Sequence, residues 1–136
     1  MYLLDTNIIS ELRKNKPHGA VIAWTRTVQG YKLFLSAVTF GEIQSGIERL
    51  RPRDPEKATE LETWIEQIAY SYEVLSMDIP VFREWAQLMK GQSEELVFDA
   101  MLAATARIHR LTLVTRNTRD FQSFDVPLLN PFTGRP

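Results

Sequence analysis

Three short apolar runs, each halted by residues that start helices or turns, constrain this chain more than any other feature. Tyr2-Leu3-Leu4 stops at Asp5-Thr6-Asn7, Leu33-Phe34-Leu35 stops at Ser36, and Leu111 to Thr115 stops at the turn Arg116-Asn117-Thr118-Arg119-Asp120. Runs of this length, bounded in this way, read as buried strands. Helical spacing follows the first two. Ile8, Ile9 and Leu12, then Ala20 to Val28 around Trp24, come after the first; Phe40, Ile43, Ile47 and Leu50 form one stripe of Val38 to Leu50 after the second. Asp54 with Pro55 reads as the start of a long helix carrying Ala58, Leu61, Ile65, Ile68 and Tyr72, and Val74-Leu75 as a strand. Asp78 begins a helix that Gly91 ends, Ser93-Glu94-Glu95 opens the most apolar helix through Ile108, and Val126 to Leu129 reads as a last strand. Strands separated by helices need crossover connections, so the expectation is an α/β fold with a central parallel sheet and helices on both faces. At 136 residues one domain, 1–136, is expected.

Charge and composition narrow the function classes. Sixteen Lys and Arg against seventeen Asp and Glu give a net charge of -1, so contact with a polyanion must be local. The absence of Cys removes disulfides, thiolate metal sites and cysteine nucleophiles, and fits a reducing cytoplasm. Asp5 stands where a secretory signal would be basic, and no apolar stretch is long enough to span a bilayer, so a soluble cytoplasmic protein without membrane association is expected. No Walker loop, GxGxxG, HExxH or GxSxG occurs, so nucleotide cradles, zinc proteases and serine-hydrolase elbows lack their usual parts.

Ligands of parallel α/β sheets bind beyond the carboxyl ends of the strands, which directs attention to Asp5, Ser36 and Asn117. Asp5 reads equally as a helix N-cap. Glu42 falls beside the apolar stripe of its helix, where a solvated flank is the plain alternative. Asp99 has Leu102, Ala103 and Ala106 as helical neighbours. A carboxylate on such a face is paired, hydrogen-bonded or cation-bound, because burying it alone costs several kcal/mol. Its alternatives are a salt bridge to Arg107, Arg110 or Arg116, or a place near the positive end of a helix. Asn117 and Asp120 suit a turn for conformational reasons alone, and His18 and His109 each lack a second His at ligand spacing. Should Asp5, Glu42 and Asp99 converge, pairs about 5 Å apart would repel by about 3 kcal/mol at an effective dielectric near 20. A proton or a divalent cation would have to relieve that. An all-oxygen site selects Mg2+ or Mn2+, and such sites commonly serve phosphodiester hydrolysis.

The four acidic segments together resemble the PIN-domain family, and within it the VapC-like toxin ribonucleases of toxin–antitoxin systems. Leu4-Asp5-Thr6-Asn7-Ile8-Ile9-Ser10 is similar to the opening motif, Ser36-Ala37-Val38-Thr39-Phe40-Gly41-Glu42-Ile43 through Gly46 to the second, Asp99 through Ala106 to the third, and Leu113-Val114-Thr115-Arg116-Asn117 with Asp120-Phe121 to the fourth. The resemblance implies a PIN-like α/β/α sandwich and a metal-dependent endoribonuclease in which Asp5, Glu42 and Asp99 hold Mg2+ or Mn2+. Asn117 stands where many relatives have Asp, so Asn117 and Asp120 are candidates for a second metal or for positioning water. Thr6, Asn7, Ser36 and Thr115 are supporting polar residues, and Arg13, Lys14, Lys16, Arg116 and Arg119 are candidate RNA phosphate contacts. A VapB-like antitoxin partner and a homodimer that assembles further with it are implied too. Trp24, Trp64, Trp85, Tyr31, Tyr70 and Tyr72, which exceed what one short sheet readily covers, point the same way. The competing reading is a non-catalytic acidic-pocket regulatory module, phosphoacceptor-like, although the lysine usual after its last strands is missing.

Overall fold

A computed structural model describes residues 1–133. Five parallel strands, β1 (Tyr2–Leu4), β2 (Leu33–Ser36), β3 (Glu73–Leu75), β4 (Thr112–Val114) and β5 (Leu128–Leu129), lie in the order β3-β2-β1-β4-β5. Register is set from the centre, where Leu3 pairs with both Phe34 and Leu113. The chain builds outward from β1 to β3, then returns to the other side of β1 at β4. That reversal opens a crevice between the carboxyl ends of β1 and β4, the place where open parallel sheets bind ligands.

Alternation along β1 and β4 divides the core. Leu3 and Leu113 face a layer containing α5 (Ile79–Leu88), α6 (Val97–His109) and the short α7 (Thr118–Phe121), where Ala100, Ala103, Ala106 and Phe121 are buried. Leu4 and Val114 face the opposite layer of α1 (Thr6–Arg13), α2 (Gly19–Thr27), α3 (Ala37–Leu50) and α4 (Pro55–Ser71), with Ile8, Ile9 and Val21. Three alanines along α6 keep that helix close to the sheet, so Asp99, in its first turn, is carried over the strand ends. Ile47, Ala58 and Ile65 pack α3 against α4.

Most helix starts lie where the capping residues put them. Asp54 accepts from Lys57 N at 3.1 Å and Asp78 from Val81 N at 3.1 Å. Gly91 adopts φ +77°, the left-handed geometry that a terminator after α5 requires. Several boundaries differ from expectation. Ser93 caps a 3-10 turn over Glu94–Leu96, and α6 begins only at Val97. The segment after β4 is not a plain turn, because Thr118–Phe121 closes into α7 and buries Phe121 completely. Leu111 lies outside β4 since its N–H is taken by Ala106 O at 2.8 Å, and Val126 lies outside β5. Nor do the six tryptophans and tyrosines form one exposed surface. Trp24 packs edge-on to Tyr2 and Trp85 donates to Val97 O at 3.1 Å, whereas only Tyr31 and Tyr70 among the six are strongly exposed.

Candidate active site

Asp5 caps α1, and its carboxylate is the best-determined group of the crevice. Oδ1 accepts from Thr6 N at 2.7 Å; Oδ2 accepts from Thr115 Oγ1 at 2.8 Å and Asn7 Nδ2 at 3.3 Å. The N-cap and the site readings of Asp5 are therefore not exclusive. Its backbone N–H donates to Val114 O at 2.9 Å, which locks the ends of β1 and β4 together. Thr115, wholly buried, also accepts from Asn117 N at 3.0 Å, and Asn7 Oδ1 accepts from Arg116 N at 3.2 Å. Thr6, Asn7 and Thr115 thus hold Asp5 and the loop after β4 in one network.

Glu42 comes from α3, whose start is fixed by the buried Ser36 accepting from Val38 N at 3.1 Å. Ser36 acts on the site through that helix. Glu42 is half-buried and accepts from Thr6 Oγ1 at 3.4 Å, so it faces α1 and not bulk water. Asp99, also half-buried, has no ion-pair partner among the described residues: Arg107 is engaged with Glu84 at 2.9 Å and with Asp125 at 3.6 Å. Among the described residues none of Asp5, Glu42 and Asp99 forms a salt bridge. That removes the ion-pair alternative for Asp99.

Electrostatics shows the acids as one group. Burial raises Asp5, with Asp120 adding to the effect against the hydrogen bonds that lower it. Burial and then the charge of Asp5 raise Glu42. Asp99 is pushed up to about 6, by burial first and then by Asp5, Asp120 and Glu42. Asp120, itself exposed, therefore stands within electrostatic reach of two of the three acids. Asn117 is exposed, and its side chain caps nothing.

The donor set is all oxygen, acidic and short of cationic neighbours, which fits a hard divalent cation. As the side chains stand, no three acidic or imidazole groups among the described residues form a closed ligand set. Asp5 is fixed by three donors, whereas Glu42 is held by one long hydrogen bond.

The basic candidates divide. Arg116 and Arg119 flank Asn117 and Asp120 at the crevice, both exposed. Arg13 and Lys14 lie at the far end of α1, where Arg13 pairs with Glu60 at 3.5 Å and stacks over Trp64, and Lys14 pairs with Glu11 at 2.9 Å. Lys16 is exposed in the loop beyond. Sequence reading missed Glu11, a buried acid whose Oε2 accepts from His18 N at 2.9 Å and so shapes that loop; no pattern sets it apart from a surface glutamate. It also passed over Asn130 and Phe132, which lie against Arg116.

Comparison with known proteins agrees with this geometry. The PIN domain family matches residues 2–127. Toxin FitB of Neisseria gonorrhoeae is 34% identical, covering 97% of this chain and 99% of the toxin, and VapC ribonuclease Y4jK of Sinorhizobium fredii is 32% identical, covering 97% and 98%. The crystal structure of FitAcB from Neisseria gonorrhoeae superposes with a TM-score of 0.83 at 34% identity over 97% of this chain and 99% of that one. VapBC2 from Rickettsia felis bound to a promoter DNA fragment shares the fold, with a TM-score of 0.73 at 18% identity over 95% and 97% of the two chains. With the sheet order, the clustered acids and these full-length matches in agreement, the chain belongs to the PIN-domain family.

Proposed function

We propose that this protein is a divalent-metal-dependent endoribonuclease, the toxin of a toxin–antitoxin pair. The observation that carries the reading is the gathering of Asp5, Glu42 and Asp99 at the β1/β4 crevice, with no salt bridge to any of them among the described residues. Such a cluster is costly for folding alone and becomes favourable when a cation and a phosphate share it. Asp5, Glu42 and Asp99 would hold Mg2+ or Mn2+, which supplies charge stabilisation for the phosphate oxygens and a more acidic water. The chain's own contribution is positioning. Thr115, Asn7 and Thr6 N–H fix the orientation of Asp5, Ser36 fixes the helix that presents Glu42, and the alanine face of α6 fixes that of Asp99. Asp120 adds negative charge beside Asp5 and Asp99, while Asn117 offers a neutral oxygen at the mouth. Arg116 and Arg119 at the mouth are the RNA phosphate contacts best placed for this chemistry; Lys16, Arg13 and Lys14 would act farther along a bound strand.

The toxin relative and the toxin–antitoxin complex of similar fold support a VapB-like antitoxin as partner; the homodimer that assembles with it is what the family resemblance implies. Among the described residues no helix is long and apolar enough to cross a membrane. A cytoplasmic site of action follows from an RNA substrate and a cysteine-free chain. The test is to induce the protein and an Asp5→Asn control, and to map new RNA 5′ ends shortly afterwards. Discrete ends confined to the unsubstituted protein are expected; their absence, or their persistence in Asp5→Asn, would overturn the reading.

A further inference from the structure

Arg116 leaves the acids unpaired. It sits in the loop that contributes Asn117 and Asp120, and an arginine beside several carboxylates ordinarily pairs with one. Here the guanidinium carbon lies 4.6 Å from the centroid of the Phe132 ring, and the side chain makes no salt bridge among the described residues. The platform beneath it is built. Asn130 Oδ1 accepts from Phe132 N at 2.9 Å and Asn130 Nδ2 donates to Arg116 O at 3.4 Å, so one side chain clamps both ring and loop. His18, 5.2 Å from the Phe132 centroid, packs against the ring, and its own position is set by Nδ1 accepting from Ala20 N at 3.2 Å. The backbone of Arg116 donates to Asn7, which in turn donates to Asp5, so one side chain links the Arg116 backbone to the candidate catalytic carboxylate.

A guanidinium stacked on a ring loses little further freedom when its N–H edges bind an anion, and a stack keeps it from collapsing onto neighbouring carboxylates. We propose that Arg116, held on Phe132 and clamped by Asn130, forms a subsite for a backbone phosphate of single-stranded RNA flanking the phosphate that is cut. Phe132 and Asn130 are positioning residues for that subsite. The proposal rests on the ribonuclease reading and deepens it by assigning where the strand is gripped. The arginine lies over the ring with the imidazole tilted beside it, and the free guanidinium edges are cationic donors suited to phosphate. An acidic protein segment could meet the same donors, and the test separates that case.

Binding of a labelled single-stranded RNA oligonucleotide is measured across a salt titration with Asp5→Asn protein, and with the same protein carrying Arg116→Gln, Arg116→Lys or Phe132→Leu. Arg116→Gln is expected to weaken binding about tenfold and to reduce the salt slope by about 0.7, the loss of one phosphate contact on a single strand. Arg116→Lys should keep the slope, and Phe132→Leu should cost about threefold, the scale of an exposed cation–π contact. In the cleaving protein, Arg116→Gln should raise KM while kcat stays within about twofold. Circular dichroism confirms that each variant folds, and exposed Arg116 can be changed without touching the core. An unchanged slope in Arg116→Gln would overturn the proposal. So would a variant that binds RNA normally but is captured less well by the antitoxin, which would assign the surface to a protein. Cleavage by the unsubstituted protein reports separately on the ribonuclease reading. If it neither binds nor cuts RNA, both fall.

Discussion

Replacing Asp99 by Asn should stabilise the metal-free protein, the reverse of what removing a buried salt-bridge partner does. The carboxyl is raised from 3.8 to about 6, by burial first and then by Asp5, Asp120 and Glu42. An acid whose folded pKa exceeds its unfolded value favours folding below the unfolded pKa, and that contribution is lost as pH rises through the folded pKa. Above pH 6 the ionised Asp99 therefore opposes folding. Two units correspond to about 3 kcal/mol at full strength, and because Asp99 is only half-buried, solvent screening reduces this to about 1–2 kcal/mol. Asparagine keeps the shape and removes the charge. Urea unfolding with chelator at pH 7.5 should show a gain of about 1–2 kcal/mol, or roughly 3–8 °C in Tm for a chain of this size. By linkage the gain should fall to about a third at pH 4.5 and vanish near pH 3. Saturating Mn2+ should invert the order, since a cation that binds only the folded state adds about 2.7 kcal/mol at a hundredfold excess over Kd. If Asp99→Asn were destabilised by 1 kcal/mol or more at pH 7.5, Asp99 would have a partner that the structure does not show, and the reasoning from uncompensated charge would be wrong.

Thr115→Val removes the hydroxyl shared by Asp5 Oδ2 and Asn117 N while keeping its volume, and should cost about 1–3 kcal/mol in urea; kcat for RNA should drop more than KM rises, and unchanged kcat would show that Asp5 does not depend on this support. Asn117→Asp should tighten Mn2+ binding in calorimetry with cleavage retained, and Asp120→Ala should reduce cleavage less than Asp99→Ala. Equal damage from Asp120→Ala and Asp99→Ala, with no effect of Asn117→Asp, would make Asp120 the fourth ligand. Gly91→Ala should cost only about 1–2 kcal/mol, the strain of a left-handed backbone, because nothing lies within 4 Å of the added methyl; a larger loss in thermal unfolding would refute this.

The sheet was legible because strand ends and helix starts coincide in this sequence. Asp5 ends β1 and caps α1, Ser36 ends β2 and caps α3, so one residue type reports both boundaries. The loop after β4 was not legible in the same way. Asn117, Thr118 and Asp120 suit a turn by local preference, and it is the burial of Phe121 that closes them into a helix. Strand order was likewise hidden, since alternation of elements is the same whether β4 returns beside β1 or adds beyond β3. At the site, Asp99 stood out through its alanine neighbours, but Glu42 did not, because its burial comes from α1, thirty-odd positions away in sequence. Phe132 belongs to no periodic pattern in the sequence. What gives it a role is the cation stacked on it, a contact between segments that no periodicity records.

Placing several acids together would be a poor use of a fold unless something else lowered the cost. Asp5 caps α1, Ser36 starts α3 with Glu42 in its second turn, and Asp99 lies in the first turn of α6. Three helix N-termini thus converge on the crevice, each contributing partial positive charge worth typically 0.3–1 kcal/mol to a nearby carboxylate. Asp5, Glu42 and Asp99 all remain raised, by burial first, so the helix ends offset only part of the cost and net negative charge stays at the crevice. A lysine or arginine in the same place would neutralise the acids outright and compete with the metal. Arg116 instead lies over the Phe132 ring and forms no salt bridge among the described residues, so it does not cancel the charge of the acids.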